Sequence, residues 1–295
     1  MLIILLFILG ICIGSFLNVL IDRLPNDENP LTGRSYCDKC KKTLKWYDLI
    51  PVLSFILLRG KCRNCHSPIS FYYPLVEIIT GIMFVGVFIF LIESRITNHE
   101  SWLANFEFRN YLEFGILNFG FIINYLYYLF IVCSLLVVFF ADIKYGIIPD
   151  KVIFPAIIIS FFFLFFTSKE SWLSFPLQPA TFEVFANKFS SALGAFIFFL
   201  FLHLITRGRG MGLGDVKLAL LLGIFLGFPQ IITALYIAFL TGAIIGLILI
   251  IWRKKKLSGG TIPFGPFLVF GALVSLFFGN SILKIVLDLR LLNFL

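Results

Sequence analysis

Long apolar runs, separated by short polar or Gly/Pro-rich breaks, recur along nearly the whole chain. They lie near residues 2–20, 74–92, 114–140, 152–166, 189–205, 217–228, 230–252 and 262–278. About 20 mostly apolar residues let an α-helix cross the hydrocarbon layer of a bilayer. The pattern therefore predicts an all-α polytopic membrane protein with about eight transmembrane helices. The sixth run is short for a full crossing. The third is long, so it tilts, projects beyond the bilayer or breaks near Gly115–Gly120. Residues 2–20 have the apolarity of a secretory signal, but no basic region precedes them and the first Arg follows them. They are expected to stay in place as the first span. The stretch from Ser281 to Leu295 is apolar with Lys284, Asp288 and Arg290 spaced through it, a pattern open to an interfacial position.

Composition agrees. Of 295 residues 60% are hydrophobic and 14% charged, with a mean hydropathy of +1.00. Soluble domains carry about 25% charged residues. The shortfall excludes a soluble enzyme, a disordered chain and a fibrous protein. A net charge of +8 would point to nucleic acid in a soluble protein. Here its placement matters more, and the expected partner is the lipid bilayer, with no nucleic acid. If the N-terminus lies outside, the inner loops hold 18 Lys/Arg and the outer segments six. That asymmetry follows the positive-inside rule. It puts residues 22–73 in the cytoplasm and, with eight spans, both termini outside.

Six cysteines are present. Cys12 and Cys133 fall within apolar runs, where cysteine usually acts as a small hydrophobe. The other four form Cys37-Asp-Lys-Cys40 and Cys62-Arg-Asn-Cys65, 21 residues apart. Paired C-x₂-C knuckles at this spacing read as a zinc site, since four thiolates complete a tetrahedron around one metal. Lys39, Lys41, Lys42, Lys61 and Arg63 offset the excess thiolate charge. Disulfides fit poorly on the reducing side of a membrane. Cys62, Cys65 and His66 also spell a haem-attachment signal, which the second cysteine pair and the inner location disfavour. The expected role is structural: a small cytoplasmic zinc-knuckle loop domain between the first two spans.

Ionisable residues at spans are costly and invite a functional explanation. Asp142 ends the third run in Ala141-Asp-Ile-Lys-Tyr-Gly-Ile-Ile-Pro-Asp150. Asp215 precedes the sixth in Gly212-Leu-Gly-Asp215-Val-Lys217. The charge asymmetry places both at the cytoplasmic boundary, where they can meet. Two close carboxylates do not both ionise comfortably, so one keeps its proton. The ionised partner can take a proton from water while the protonated one hydrogen-bonds a scissile carbonyl, which is peptide hydrolysis without a covalent intermediate. Gly212 and Gly214 permit close approach of a substrate strand. Simpler readings stand beside this one. Asp142 can pair with Lys144, Asp215 can cap the next helix, and Asp150 after Pro149 suits a helix N-cap. Asp22 beside Arg23 reads as a boundary residue.

Taken in order, these segments resemble the bacterial type IV prepilin peptidases, bifunctional leader peptidase/N-methyltransferases of the GxGD aspartic protease class. The resemblance rests on Gly14-Ser-Phe-Leu-Asn-Val-Leu-Ile-Asp-Arg-Leu-Pro25, Arg34-Ser-Tyr-Cys37, Pro51 to Cys62, Tyr73-Pro-Leu-Val-Glu77, Asp142 to Asp150, Gly212-Leu-Gly-Asp215 and Ile262-Pro-Phe-Gly-Pro-Phe267. Tyr72 stands where the family pattern has a basic residue, and 93–113 and 167–188 match no family segment. The resemblance implies Asp142 and Asp215 as the catalytic pair. It implies type IV prepilin and type II secretion pseudopilin precursors as substrates, and the bacterial inner membrane as the location. Their basic leader would need acidic acceptors, for which Asp38, Asp48 and Asp150 are candidates. It also implies methylation of the new N-terminal amine by S-adenosylmethionine. No Rossmann-type glycine fingerprint is present. Glu77 at the membrane edge is a candidate for this second activity, or equally an anchor of the second helix.

The implied organisation is a first helix at 1–21, the four-cysteine loop at 22–73, a second span and outer loop at 74–113, and the peptidase domain at 114–295. Two alternatives remain: a peptidase without methyltransferase activity, and a membrane metal-handling or transport protein.

Overall fold

The computed structural model describes residues 1–30, 32–37, 39–97, 119–169, 179–208, 210–251 and 263–292. Among them the chain is all-α. The helices are α1 (Leu2–Arg23), the one-turn α2 (Leu53–Leu57), α3 (Tyr72–Thr97), α4 (Phe119–Tyr145), α5 (Asp150–Lys169), α6 (Pro179–Ile205), α7 (Leu213–Leu226), α8 (Gln230–Ile251) and α9 (Gly265–Leu292). Setting α2 aside, each of the eight expected apolar runs has its helix. Six among the described residues are long and apolar enough to cross a membrane: α1, α3, α4, α6, α8 and α9. The helix α7 has 14 residues, a rise of about 21 Å, short of the ~30 Å hydrocarbon layer. The start of the third run, with Gly115, lies outside the described residues. At the C-terminal end α9 continues unbroken to Leu292.

The chain forms two compact units, Met1–Cys133 and Ser134–Leu295. In the first, α1 packs on α3, and small residues set the approach. A Cβ on Gly10 would come 2.7 Å from the Gly81 backbone, and one on Gly14 2.7 Å from Cα of Glu77. Gly10 and Gly14 are a G-x-x-x-G pair, the spacing that lets helix backbones approach closely in a membrane. Asn18 donates to the Tyr73 carbonyl at 3.1 Å, and the Tyr73 hydroxyl donates to Asp22 at 3.0 Å. The end of α1 is thus tied to the start of α3.

In the second unit α7 is the hub. It contacts α5, α6, α8 and α9, and nine of its 14 residues are buried. A helix apolar on all sides belongs in an interior. Its far end is held from α6. Asn187 accepts the Phe228 N–H at 2.8 Å and donates to the Phe228 carbonyl at 3.1 Å. A Cβ on Gly223 would run into the backbone of Ala192 on α6. Between α8 and α9, Thr233 and Ser275 share a 2.6 Å hydrogen bond. Holding α7 from several sides fixes the position of its N-terminal turn, which carries Asp215.

Candidate functional site

Asp142 lies in the last turn of α4. The helix stops because Gly146 adopts φ 66, with its N–H returning to the Asp142 carbonyl at 2.9 Å, the left-handed stop that glycine favours. Pro149 then leads into α5. Asp215 is the third residue of α7, and its carboxylate accepts the Gly212 N–H at 3.2 Å. The expected cap is therefore present, and the same side chain also lies within electrostatic reach of Asp142. The backbone N–H of Gly265, first residue of α9, donates to the Asp142 carboxylate. Each acid thus takes a main-chain N–H from a glycine at a helix start. Both are buried, at 4% and 6% exposure, where a polar group without partners would be costly.

Space beside the glycines is tight. A Cβ on Gly265 would come 2.5 Å from Oδ2 of Asp142, and one on Gly214 would come 3.0 Å from Ile148. Ile148 also approaches Gly265, so one side chain from the α4–α5 link packs against the N-terminal turns of both α7 and α9. Patterning along the chain does not single out Gly265 or Ile148. A Gly-Pro pair opening an apolar run is the signal that could have marked the former.

Asp150 is the first residue of α5, and its carboxylate takes Lys217 Nζ at 2.7 and 2.9 Å. The expected N-cap role falls instead to Pro149, whose carbonyl accepts the Ile153 N–H, and the Asp150 side chain pairs across to α7. Asp48 pairs with Arg63 at 2.8 Å. Asp38 lies outside the described residues.

Cys37, Cys40, Cys62 and Cys65 come together, with their Sγ atoms within 4.8 Å of one another. Each pair sits in a tight turn closed by one isolated bridge, Tyr36 with Thr43 and Lys61 with Pro68. The two turns match. Cys37 and Cys62 accept the N–H groups of Lys41 and His66, and Lys41 and His66 have φ 55 and 53. His66 therefore serves as a turn residue. A tetrahedral thiolate centre with ~2.3 Å metal bonds has sulfur–sulfur edges of about 3.8 Å. Cys37 and Cys65 are 3.8 Å apart. The Cys37 thiol is drawn down to about 6, chiefly by the backbone N–H of Cys40. A Lys42 backbone hydrogen bond favours the Cys40 thiolate, yet desolvation and the Cys37 and Cys65 thiols outweigh it and push Cys40 up to about 11. Four thiols this close resist joint ionisation, which a bound cation would relieve. The geometry can hold a metal ion.

Glu77 is buried on α3. It accepts the Val52 N–H at 2.7 Å and a hydrogen bond from Ser15 on α1. Val52 is held at φ 60, a conformation uncommon for a β-branched residue. Glu77 thus joins α1, α3 and the segment between the cysteine pairs.

Two family models match the sequence, "Bacterial Peptidase A24 N-terminal domain" over residues 8–91 and "Type IV leader peptidase family" over 129–247. Among curated relatives, a prepilin leader peptidase/N-methyltransferase of Myxococcus xanthus (strain DK1622) is 29% identical over 250 residues, covering 83% of this chain and 62% of the relative. One of Bacillus subtilis (strain 168) is 28% identical over 286 residues, covering 97% and 98%. One of Burkholderia pseudomallei (strain K96243) is 29% identical over 305 residues, covering 92% and 84%. The chain thus spans under two thirds of the Myxococcus protein and nearly all of the Bacillus one. No solved structure matches the chain significantly.

Proposed function

The chain belongs to the type IV leader peptidase family, and from that membership we propose that it removes the leader from type IV prepilins and pseudopilins and then N-methylates the exposed residue. The observation that carries the peptidase half is the pairing of two buried carboxyl groups, Asp142 and Asp215, each braced by a glycine N–H. In this reading the ionised member takes a proton from water, which attacks the scissile carbonyl. The protonated member donates to that carbonyl oxygen and stabilises the tetrahedral oxyanion. Collapse of the intermediate returns a proton to the leaving amine. No bond to the enzyme forms at any stage. The peptidase domain is assigned to residues 114–295 and the second activity to the first three segments, with the four-cysteine loop at 22–73.

Zinc suits the four cysteines, as the sulfur spacing supports. Its part is structural: it would fold the loop that ties to α3 through Val52 and Glu77. The relatives' names pair the peptidase with an N-methyltransferase, for which S-adenosylmethionine supplies a sulfonium methyl group. The sequence has no dinucleotide-type glycine cradle. Glu77 is the candidate of this half. It orients the Val52 backbone, and a carboxylate there can take the proton an ammonium must lose before it attacks.

The Lys/Arg asymmetry supports an inner-membrane orientation with the N-terminus outside and the aspartates at the cytoplasmic boundary. A digest of a purified prepilin, with and without S-adenosylmethionine and read by intact mass, tests both halves. Leader loss without donor and one added methyl group with it are expected. An uncut precursor would reject the peptidase reading, and a cut but never methylated product would leave a peptidase alone.

A further inference from the structure

Between the two cysteine pairs runs Lys45-Trp-Tyr-Asp-Leu-Ile-Pro-Val-Leu-Ser-Phe-Ile-Leu-Leu58. It folds as a 3₁₀ turn, Trp46–Leu49, followed by α2, and the two pack together. Trp46, Leu49 and Ile50 stand at helical spacing i, i+3, i+4. Leu53, Ile56 and Leu57 repeat that spacing. All six are exposed, Trp46 at 78%, Leu57 at 72% and Ile56 at 63%. The segment's own packing uses other side chains. Phe55 meets Phe71 edge-on at 6.0 Å, and Tyr47 lies under the Arg63 guanidinium at 4.8 Å. A set of large apolar side chains held in water is unfavourable and marks a contact surface.

The neighbourhood says what covers it. In the same unit the segment is tethered at both ends to helices able to cross a membrane, α1 before it and α3 after it, so a bilayer surface is always within reach. From Arg34 to Arg63 the chain holds eight Lys/Arg against two Asp. Lys39, Lys41, Lys42, Lys45, Arg59 and Lys61 are exposed, and Asp48 is engaged by Arg63. Tryptophan beside aliphatic side chains and lysines is the composition of an element that lies in the headgroup region and prefers anionic lipid.

We propose that the exposed side chains from Trp46 to Leu57 form an interfacial anchor that seats the cysteine segment on the anionic surface of the bilayer. The aliphatic groups enter the headgroup–acyl boundary, and the lysines contact lipid phosphates. The anchor holds the metal-binding knuckles at the depth where helices α1 and α3 leave the membrane. This inference does not depend on the catalytic pair.

The test uses the full chain with Trp102→Phe, Trp172→Phe and Trp252→Phe, leaving Trp46 as the only tryptophan. It is reconstituted in vesicles of neutral lipid or neutral lipid mixed with phosphatidylglycerol, each with lipids brominated near the headgroup end or near the chain terminus. Trp46 is expected to emit with a blue shift and to be quenched more by the shallow bromine than by the deep one. Quenching should grow with phosphatidylglycerol. That growth should be lost in Lys39→Gln, Lys41→Gln, Lys42→Gln, Lys45→Gln protein, with retained metal content reporting an intact loop. Water-like emission indifferent to brominated lipid in both vesicle types would overturn the proposal. So would protection that arises only when a prepilin is added, since the surface would then belong to a protein partner. If the lysine variant misfolds, the shallow-to-deep quenching ratio of the unaltered loop decides by itself.

Discussion

Asp142 and Asp215 each accept a backbone N–H from a glycine that begins a helix. Asparagine keeps the shape and the acceptor oxygen but cannot take or hold the proton. Asp142→Asn and Asp215→Asn are therefore each expected to lower prepilin cleavage on the order of 10²–10⁴-fold, with insertion preserved. Initial rates by intact mass and membrane fractionation measure the two. Full cleavage by either variant would rule out the pair. If the pair works with one shared proton, the rate should fall on the acid side, where both acids are protonated, and on the alkaline side, where both are ionised. The two limbs of the pH–rate profile belong to the pair and not to single residues. Gly265→Ala makes a finer test. Its Cβ would come 2.5 Å from the Asp142 oxygen, so cleavage should drop although both carboxylates remain.

The helix α7 joins the site to the packing of the second unit. Its apolar faces meet four other helices, and at Gly223 it lies directly against Ala192 on α6. Gly223→Val overpacks that contact at a cost of about 1–3 kcal/mol. A lower melting temperature in detergent and a slower cleavage are expected together, because Asp215 rides on the same helix. A variant that melts lower but cleaves at the normal rate would show the two ends of α7 to be independent. The cysteine turns form a separate element. Cys40→Ser with Cys62→Ser should lose bound metal, measured by elemental analysis, and should lose methylation before cleavage. Loss of both activities at once would mean that the loop holds the whole fold.

Across the molecule, the four thiols and Glu77 lie in the first compact unit and both aspartates in the second. The Lys/Arg asymmetry predicts the orientation. A reporter active only on the outer side, such as alkaline phosphatase, should be inactive when inserted in the polar stretch after α1 and active when inserted between α3 and α4. The reverse pattern would invert the topology and move the aspartates to the outer face.

Among the described residues the long helices were legible along the chain because an apolar run of that length must satisfy its backbone internally, whatever its neighbours are. The cysteine cluster was legible for a related reason: four thiol ligands at short spacing leave few arrangements. Other features have no linear signature. The sequence shows a short sixth run, but only packing makes α7 a central helix rather than a weak crossing. Asp142 and Asp215 are 73 positions apart, and bringing them within electrostatic reach depends on how helix ends converge around Ile148 and Gly265. A chain pattern records which faces avoid water. Which buried groups come near one another is decided by close packing, as where a Cβ on Gly14 would run into the backbone of Glu77.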